Sequence, residues 1–315
     1  MVAIIVVSII LGLSLLLLLI VYMLYRLTFY TPFKKQLNDV NLPVSKNYQS
    51  YPKLRRTLVD KFMSRPYEDA YIHSYDGLRL HARVFSIRGG ENRVAICFHG
   101  YRGTGYRDFC AAAKLLFELK YNVIMIDERG HGLSDGHKIT FGIRESKDAL
   151  DWVKYAKEKF GEDAEILLYG VSLGGHVVLN IADRVDDKVK IIADAPYCES
   201  KTSIKNAIRS IHLPVWLVYP LVNLASIMFV HENMNRSSVF NAVKNSNHQI
   251  LVIHGHEDEV TPYEDSMRLS AKFNSKVRYE LFYGAKHITS FLADHKRFER
   301  VIKEFLIGKE KAYNK

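Results

Sequence analysis

The hydrophobic pattern of the chain begins with an apolar run, Val2 to Tyr25, that contains no charged residue over 24 positions. As a helix this run would be about 36 Å long, and the hydrocarbon core of a bilayer is ~30 Å thick. A cleaved signal peptide is the alternative. It is disfavoured because no Lys or Arg precedes the run, the run is longer than a signal-peptide apolar region, and no small-residue cleavage site follows. The pattern predicts a transmembrane anchor over residues 1–27.

Residues 28–66 contain two segments of different polarity pattern. From Tyr30 to Ser50 the segment is polar, contains two prolines and lacks periodicity, which is typical of a juxtamembrane linker. Apolar residues then recur at helical spacing between Leu54 and Met63, and Pro66 follows. This spacing predicts an amphipathic helix that ends before the proline.

Strand and helix patterns alternate through a domain predicted over residues 67–310. Tyr67–Ser74 and Leu78–Phe85 flank an Asp-Gly turn and predict a β-hairpin. Continuous apolar runs predict buried strands at Val94–Phe98 and Val123–Ile126. Four further strands are expected at Ile166–Tyr169, Val189–Ala193, Ile250–His254 and Val277–Phe282. Helices are expected at Asp108–Leu119, Ile143–Phe160, Leu173–Arg184, Tyr263–Phe273 and Ser290–Ile307. The alternation predicts an α/β fold, a mostly parallel sheet with helices on both faces.

One interval interrupts this alternation, Glu199 to His248, called the insertion below. It contains Leu213–Val230, 18 residues without a charge, a length at which a second transmembrane helix has to be considered. A crossing there would place the strands before and after it on opposite sides of the membrane, so that no single sheet could form. Pro214 and Pro220 also favour short packed helices. We expect a helical insertion that serves as a cap over a site.

The charge balance bears on partners and orientation. A net charge of +10 is compatible with nucleic-acid binding, but no clustered basic helix with interleaved aromatic residues is present, so no nucleic-acid partner is expected. Attraction to anionic lipid beside an anchor explains the excess more simply. Arg26, Lys34 and Lys35 follow the anchor and no Lys or Arg precedes it. The positive-inside rule then predicts a single-pass membrane protein whose C-terminal domain is cytoplasmic.

The three cysteines, Cys97, Cys110 and Cys198, are odd in number and have no metal-binding spacing. A disulfide framework or a zinc site is therefore not expected, and neither is any metal or cofactor.

A candidate nucleophile lies where a strand meets a helix. Gly170-Val-Ser172-Leu-Gly174 has the form G-x-S-x-G, in which a tight strand-to-helix turn holds the serine hydroxyl at the edge of the sheet. Gly132-Leu-Ser134-Asp-Gly136 matches the same pattern, but it follows the polar stretch Asp127–His131 rather than a strand. Ser134 is therefore interpreted as a loop residue and Ser172 as the nucleophile.

A serine nucleophile needs a base and a carboxylate that orients the base. Asp258 follows the strand Ile250–His254, and His287 follows the next strand. The order serine, acid, histidine is the one expected on such a sheet. Asp194, which also ends a strand, remains an alternative acid.

Backbone amides are expected to stabilise the oxyanion. The segment His99–Gly103 follows the first buried strand, and the turn there leaves N–H groups unpaired. We predict that the amides of Tyr101 and Leu173 form the oxyanion hole.

Together these motifs resemble those of the α/β-hydrolase superfamily, in the branch of serine aminopeptidase-like and monoacylglycerol-lipase-like proteins. The residues that carry the resemblance are His99-Gly100, Asp127-x-Arg129-Gly130-His131-Gly132-x-Ser134, Gly170-Val-Ser172-Leu-Gly174-Gly175, His254-Gly255-x-x-Asp258-x-x-x-Pro262 and Gly284-x-x-His287. The resemblance covers about Tyr67 to Ile307. It implies the α/β-hydrolase fold, Ser172, Asp258 and His287 as the triad, and the insertion as the cap.

The expected activity is that of a membrane-anchored serine hydrolase, of the carboxylesterase or lipase class, acting on a small-molecule or lipid ester through an acyl-enzyme. A peptidase of the same fold is a less favoured alternative. An exopeptidase needs an acidic pair to hold the α-ammonium of its substrate, and the insertion contains only Glu199 and Glu232 against several Lys and Arg residues. A non-catalytic scaffold is a third possibility. The sequence does not specify acyl-chain length or oligomeric state.

Overall fold

An eight-stranded sheet organises the part of the chain that this computed structural model describes, residues 1–31, 52–90 and 92–309. The strands are β1 (Glu68–His73), β2 (Arg79–Phe85), β3 (Arg93–Phe98), β4 (Asn122–Ile126), β5 (Glu165–Val171), β6 (Lys190–Asp194), β7 (Ile250–Gly255) and β8 (Val277–Phe282). Their order in the sheet is β1-β2-β4-β3-β5-β6-β7-β8. The β1–β2 and β2–β4 pairs are antiparallel, and the pairs from β4 to β8 are parallel. The predicted fold class is confirmed.

The helices of the described residues are α1 (Val2–Thr28), α2 (Pro52–Met63), α3 (Gly105–Glu118), α4 (Glu145–Phe160), α5 (Leu173–Asn180), α6 (Ser200–Ser210), α7 (Val215–Ala225), α8 (Phe240–Asn245), α9 (Tyr263–Lys272), α10 (Ser290–Ala293) and α11 (His295–Ile307). A π-helical turn, Ser226–Val230, continues α7, and a 3₁₀ turn, Met234–Arg236, precedes α8.

The core lies on both faces of the sheet because the central strands are buried on both sides. In β3, Ile96 and Phe98 face a cluster that includes Trp152 of α4, whereas Ala95 and Cys97 face one that includes Phe109 of α3. This period of two is what a pleated strand covered on both faces requires.

Three predicted helices differ from the observed ones by more than two residues or by a break. Helix α3 begins at Gly105, earlier than predicted, because the Thr104 hydroxyl accepts a hydrogen bond from the Arg107 amide and caps the helix. Helix α5 ends at Asn180 rather than Arg184. The helix predicted over Ser290–Ile307 is broken at Asp294, whose side chain starts α11 by accepting from the Arg297 amide at 2.9 Å.

The N-terminal run and the insertion have the element types that the pattern predicts. Among the described residues, α1 is the one helix long and apolar enough to cross a membrane. The apolar stretch of the insertion forms the 11-residue α7 and the π turn, with Pro214 just before the helix and Pro220 inside it. The predicted amphipathic helix corresponds to α2. Most of the predicted linker and residue 310 lie outside the described residues.

Candidate active site

Ser172 occupies a strained turn between β5 and α5. Its φ of +55° lies in the left-handed region, which is costly for a residue with a side chain. The turn is tight enough that a Cβ atom on Gly170 would lie 2.0 Å from the carbonyl oxygen of Gly174, and one on Gly174 would lie 1.9 Å from that of Phe98. The two flanking positions of the motif therefore have room only for glycine.

The sheet brings the three predicted triad residues to one edge. Ser172 follows β5, Asp258 follows β7 and His287 follows β8, in a run of parallel neighbours β5-β6-β7-β8. The carboxyl ends of parallel strands point the same way, so the loops after them meet at one edge. All three residues are buried, with exposures of 5–7%.

Asp258 and His287 form a direct hydrogen bond. His287 Nδ1 lies 2.7 Å from Asp258 Oδ2. The other carboxylate oxygen, Oδ1, accepts from the amides of Val260 and Thr261 at 2.8 and 2.9 Å. Burial by itself would raise the pKa of Asp258, but attraction to His287 and hydrogen bonds from His254 and His287 hold the pKa of this carboxyl well below its ordinary value. The carboxylate is therefore ionised and fixed in position.

The hydroxyl of Ser172 is not joined to His287 by any hydrogen bond of the described residues. Its backbone amide donates to the carbonyl of Asp194 at 2.8 Å, which fixes the turn to β6. Such nucleophile–base hydrogen bonds often close only when substrate is bound.

His254 and Thr261 support the acid loop, a role that the sequence did not predict. His254 Nε2 lies 2.8 Å from the carbonyl oxygen of Thr261 and 3.2 Å from Asp258 Oδ2, and its Nδ1 lies 2.8 Å from the Ser266 hydroxyl. The Thr261 hydroxyl lies 3.0 Å from Asp258 Oδ2 and from the carbonyl oxygen of Ala195. The signal was the motif that begins at His254, in which only the aspartate was assigned a role.

The predicted oxyanion loop lies next to the nucleophile. A Cβ atom on Gly100 would lie 3.3 Å from the Cβ of Ser172. The Asp108 carboxylate holds the loop by accepting from the Gly100 amide at 2.9 Å, and Arg107 pairs with that carboxylate at 2.7 Å. Burial opposes ionisation of Asp108, but the Arg107 charge and the hydrogen bonds from Arg107 and the Gly100 amide together outweigh it and lower the pKa to about 2. The amides of Tyr101 and Leu173 donate no hydrogen bond within the described residues.

Asp194, the alternative acid, ends β6 beside the same edge. Burial raises its pKa to about 7, and its Oδ1 has no hydrogen-bond partner in the described part of the chain. The carboxylate that forms a hydrogen bond with His287 Nδ1 is that of Asp258, not that of Asp194.

Ser134 lies in a different environment. Its hydroxyl donates to the carbonyl of Asp127 at 2.5 Å and accepts from the His81 amide at 2.8 Å, and the residue is fully buried. Within the described ranges, no cluster of three or more His, Cys, Asp or Glu side chains is arranged to hold a metal ion.

Comparison with known proteins identifies the relatives of this chain. Residues 90–244, about half of the chain, match the family described as "Serine aminopeptidase, S33". The bovine protein "Lysophosphatidylserine lipase ABHD12" is 25% identical over 260 residues, which cover 76% of this chain and 58% of the relative. The "Uncharacterized membrane protein YNL320W" of Saccharomyces cerevisiae is 24% identical over 267 residues, which cover 83% of this chain and 88% of the yeast protein.

The matched regions of the first curated relatives span about half to two thirds of those relatives' lengths. Among solved structures, the esterase PF2001 of Pyrococcus furiosus aligns with a TM-score of 0.63 at 24% identity, covering 78% of this chain and 92% of that one. At that identity the likeness establishes the fold. The chain therefore has the α/β-hydrolase fold, and residues 90–244 are similar to the serine aminopeptidase family.

Proposed function

We propose that this protein is a membrane-anchored serine hydrolase that cleaves carboxylic esters, with Ser172 as nucleophile, His287 as general base and Asp258 as the orienting acid. The observation that carries the proposal is the 2.7 Å hydrogen bond between His287 Nδ1 and Asp258, in loops beside the strained turn at Ser172. Because Nδ1 faces the carboxylate, Nε2 is the nitrogen left to accept a proton.

The reaction would proceed in two stages. Ser172 Oγ attacks the ester carbonyl carbon as its proton passes to His287 Nε2, and the amides of Tyr101 and Leu173 stabilise the resulting oxyanion. Collapse breaks the bond to the alcohol, which leaves with the proton from His287. Water then attacks the acyl-enzyme while His287 takes a proton from that water. The acid is released, and the proton passes from His287 back to Ser172 Oγ.

An acyl-lipid is the substrate class that we favour. The bovine relative is named as a lipase of lysophosphatidylserine, and the insertion that would cap the site contains the apolar helix α7. A cleft of about 450 Å³ lies between α6 and the loop that bears Asp258, lined by Asn206, Arg209, Ser210, Asp258, Glu259 and Pro262.

A peptidase is the second candidate, favoured by the description of the matched family. Holding the α-ammonium of a peptide requires free carboxylates near the site. In the insertion, however, Glu199 is paired with Arg268 and Lys201, and Glu232 is paired with Arg144. These pairs favour ester hydrolysis, and faster cleavage of aminoacyl-naphthylamides than of esters would reverse that preference.

The experiment is labelling with a fluorophosphonate and turnover of a series of p-nitrophenyl esters of increasing acyl length. Wild type and Ser134→Ala should be labelled and active, whereas Ser172→Ala should be neither. Labelling that persists in Ser172→Ala would refute the assignment of the nucleophile.

Anchoring through α1, with the hydrolase domain in the cytoplasm, is the second part of the proposal. Arg26 at the end of α1 supports this orientation by the positive-inside rule. Protease treatment of sealed inverted vesicles should digest the domain, and protection there would contradict the orientation.

A further inference from the structure

The predicted membrane helix is exposed over a defined length. Every residue from Val2 to Ile20 is exposed, and burial begins at Val21 and recurs at Tyr25 and Phe29. These 19 exposed residues span about 28 Å at ~1.5 Å per residue, close to the ~30 Å thickness of the hydrocarbon core. The length match places the membrane surface at the level of Val21, where the helix first meets the domain.

The element that meets the helix at this level is the insertion. Helix α1 packs against α7 and against the π turn that follows it. The ring of Phe229 lies 5.6 Å from that of Tyr22 and 5.1 Å from that of Tyr25. The apolar segment of the insertion is therefore held where α1 leaves the hydrocarbon.

This segment also exposes apolar side chains along one face. On α7, Tyr219, Val222 and Ala225 point into the domain and are buried. The opposite face carries large exposed apolar residues at helical spacing, and Trp216 is 79% exposed. The members of this exposed face, called the apolar face below, are Leu213, Trp216, Leu217, Leu224, Ile227 and Met228.

We propose that the apolar face docks on the lipid bilayer at the boundary between headgroups and acyl chains, in the leaflet from which α1 emerges. Soluble surfaces rarely leave so many large apolar residues together, and an apolar helical face lying in the interface buries them. The occupant is the bilayer because the same segment packs directly on α1. The domain is then held by two contacts, with the insertion resting on the membrane.

Trp216 provides a direct probe, since the chain has two tryptophans and Trp152 is fully buried. Full-length Trp152→Phe would be reconstituted in phosphatidylcholine vesicles whose acyl chains carry bromine near the headgroup. We expect Trp216 fluorescence to be strongly quenched relative to unbrominated vesicles. The matched control is Trp152→Phe/Trp216→Phe/Met267→Trp, which places the probe on α9, at a residue 49% exposed that lies outside the insertion. Equal quenching in the two proteins, or none at Trp216, would overturn the proposal.

Should Trp152→Phe fail to fold, the difference in quenching between wild type and Trp216→Phe reports the same contact. This measurement involves no turnover, so it is readable even if the proposed hydrolase activity fails. A functional arm uses Leu217→Asp/Leu224→Asp. Turnover of an acyl ester embedded in vesicles should fall several-fold, while turnover of a water-soluble short ester should stay unchanged. Unchanged turnover of the embedded ester would contradict docking.

Different contacts support a second inference, at the end of α1. The Tyr101 hydroxyl donates to the carbonyl of Thr28 at 2.8 Å, and Arg102 donates to the carbonyl of Leu27 at 2.8 Å. The ring of Phe141 is stacked on Tyr101 at 5.3 Å and lies 5.7 Å from Phe29. The last turn of α1 is thus hydrogen-bonded to the predicted oxyanion loop.

We infer that the end of α1 positions the oxyanion loop, with the Tyr101 hydroxyl as a positioning group. The inference rests on the proposed function. Tyr101→Phe keeps the ring but removes the bond to Thr28, and it should lower kcat and the rate of fluorophosphonate labelling several-fold with KM and melting temperature unchanged. Tyr283→Phe, at a residue 73% exposed, is the matched control. An active wild type with an unaltered kcat in Tyr101→Phe would overturn this inference alone, whereas an inactive wild type would refute the proposed function.

Discussion

The chain contains two G-x-S-x-G serines, 38 residues apart, in opposite situations. Ser134 is fully buried, and its hydroxyl both donates to Asp127 and accepts from the His81 amide. Ser172 has a strained φ of +55°, and no hydrogen bond of the described residues uses its hydroxyl. A hydroxyl already committed to two backbone groups stabilises a loop, whereas an uncommitted one held at a sheet edge is available for chemistry.

Two histidines make the comparison sharper. His81, whose amide donates to Ser134, and His287, the predicted base of Ser172, are each paired with an aspartate. His81 Nδ1 lies 2.7 Å from Asp127, and its Nε2 lies 2.9 Å from Asp69. His287 Nδ1 is likewise 2.7 Å from Asp258, but its Nε2 makes no hydrogen bond within the described residues. Residue types alone therefore do not distinguish the proposed catalytic cluster from a structural one. The distinguishing feature is a ring nitrogen free to accept a proton.

The largest expected effect is on the rate of ester hydrolysis, which should differ greatly between variants of the two serines. Ser172→Ala should lower ester turnover by about 10⁴- to 10⁶-fold, because the nucleophile and the covalent intermediate are lost together. Ser134→Ala, assayed side by side, should retain most of the activity. Comparable losses in the two variants would remove the distinction.

The second effect tests the acid beside Ser172. Asp258→Asn should lower kcat by about 10⁴-fold, since the amide would favour the wrong tautomer of His287. Asp194→Asn is the control and should cost far less. A larger loss in Asp194→Asn than in Asp258→Asn would identify Asp194 as the acid.

A smaller effect, on stability, is expected at Ser134. Ser134→Ala leaves the His81 amide and the Asp127 carbonyl without this partner in a buried position, and it should lower the free energy of unfolding by about 1–3 kcal/mol. Denaturant unfolding in detergent measures this, with Ser172→Ala expected to change the stability little. A destabilised Ser172→Ala beside an unaltered Ser134→Ala would invert the structural roles.

The smallest effect concerns pH and the loop beside Ser172. Asp108 has a folded-state pKa of about 2, below its ordinary value, so its ionised form stabilises the fold above about pH 4. This stabilisation, on the order of 2 kcal/mol, should be lost as the pH falls from about 4 toward 2. The difference in unfolding free energy between wild type and Asp108→Asn, measured from pH 5 to 2, should narrow on acidification. A difference independent of pH would mean that the Arg107–Asp108 pair does not act through charge.

The part of the candidate site that could be predicted from the sequence depends on local pattern. The strand before Ser172 and the helix after it separated this serine from Ser134, and the exit loops of β7 and β8 led to Asp258 and His287. These inferences needed only neighbouring residues and the rule that parallel strands end at one edge.

The remaining features depend on contacts between distant residues. Nothing near Tyr101 in the sequence indicates that its hydroxyl bonds to Thr28, 73 residues away. His254 looked like a strand-end histidine, and its support of Asp258 depends on the path of the loop to Thr261. The apolar pattern is compatible with one continuous helix over Ser290–Ile307. The break arises because the Asp294 side chain caps the start of α11.

The most direct test of the account is to identify the residue that carries a fluorophosphonate adduct, by peptide mass spectrometry of the labelled full-length protein. We predict that the adduct lies on Ser172, that it is absent from Ser172→Ala, and that it persists in Ser134→Ala. An adduct on Ser134, or labelling retained in Ser172→Ala, would contradict the assignment of Ser172 as the nucleophile.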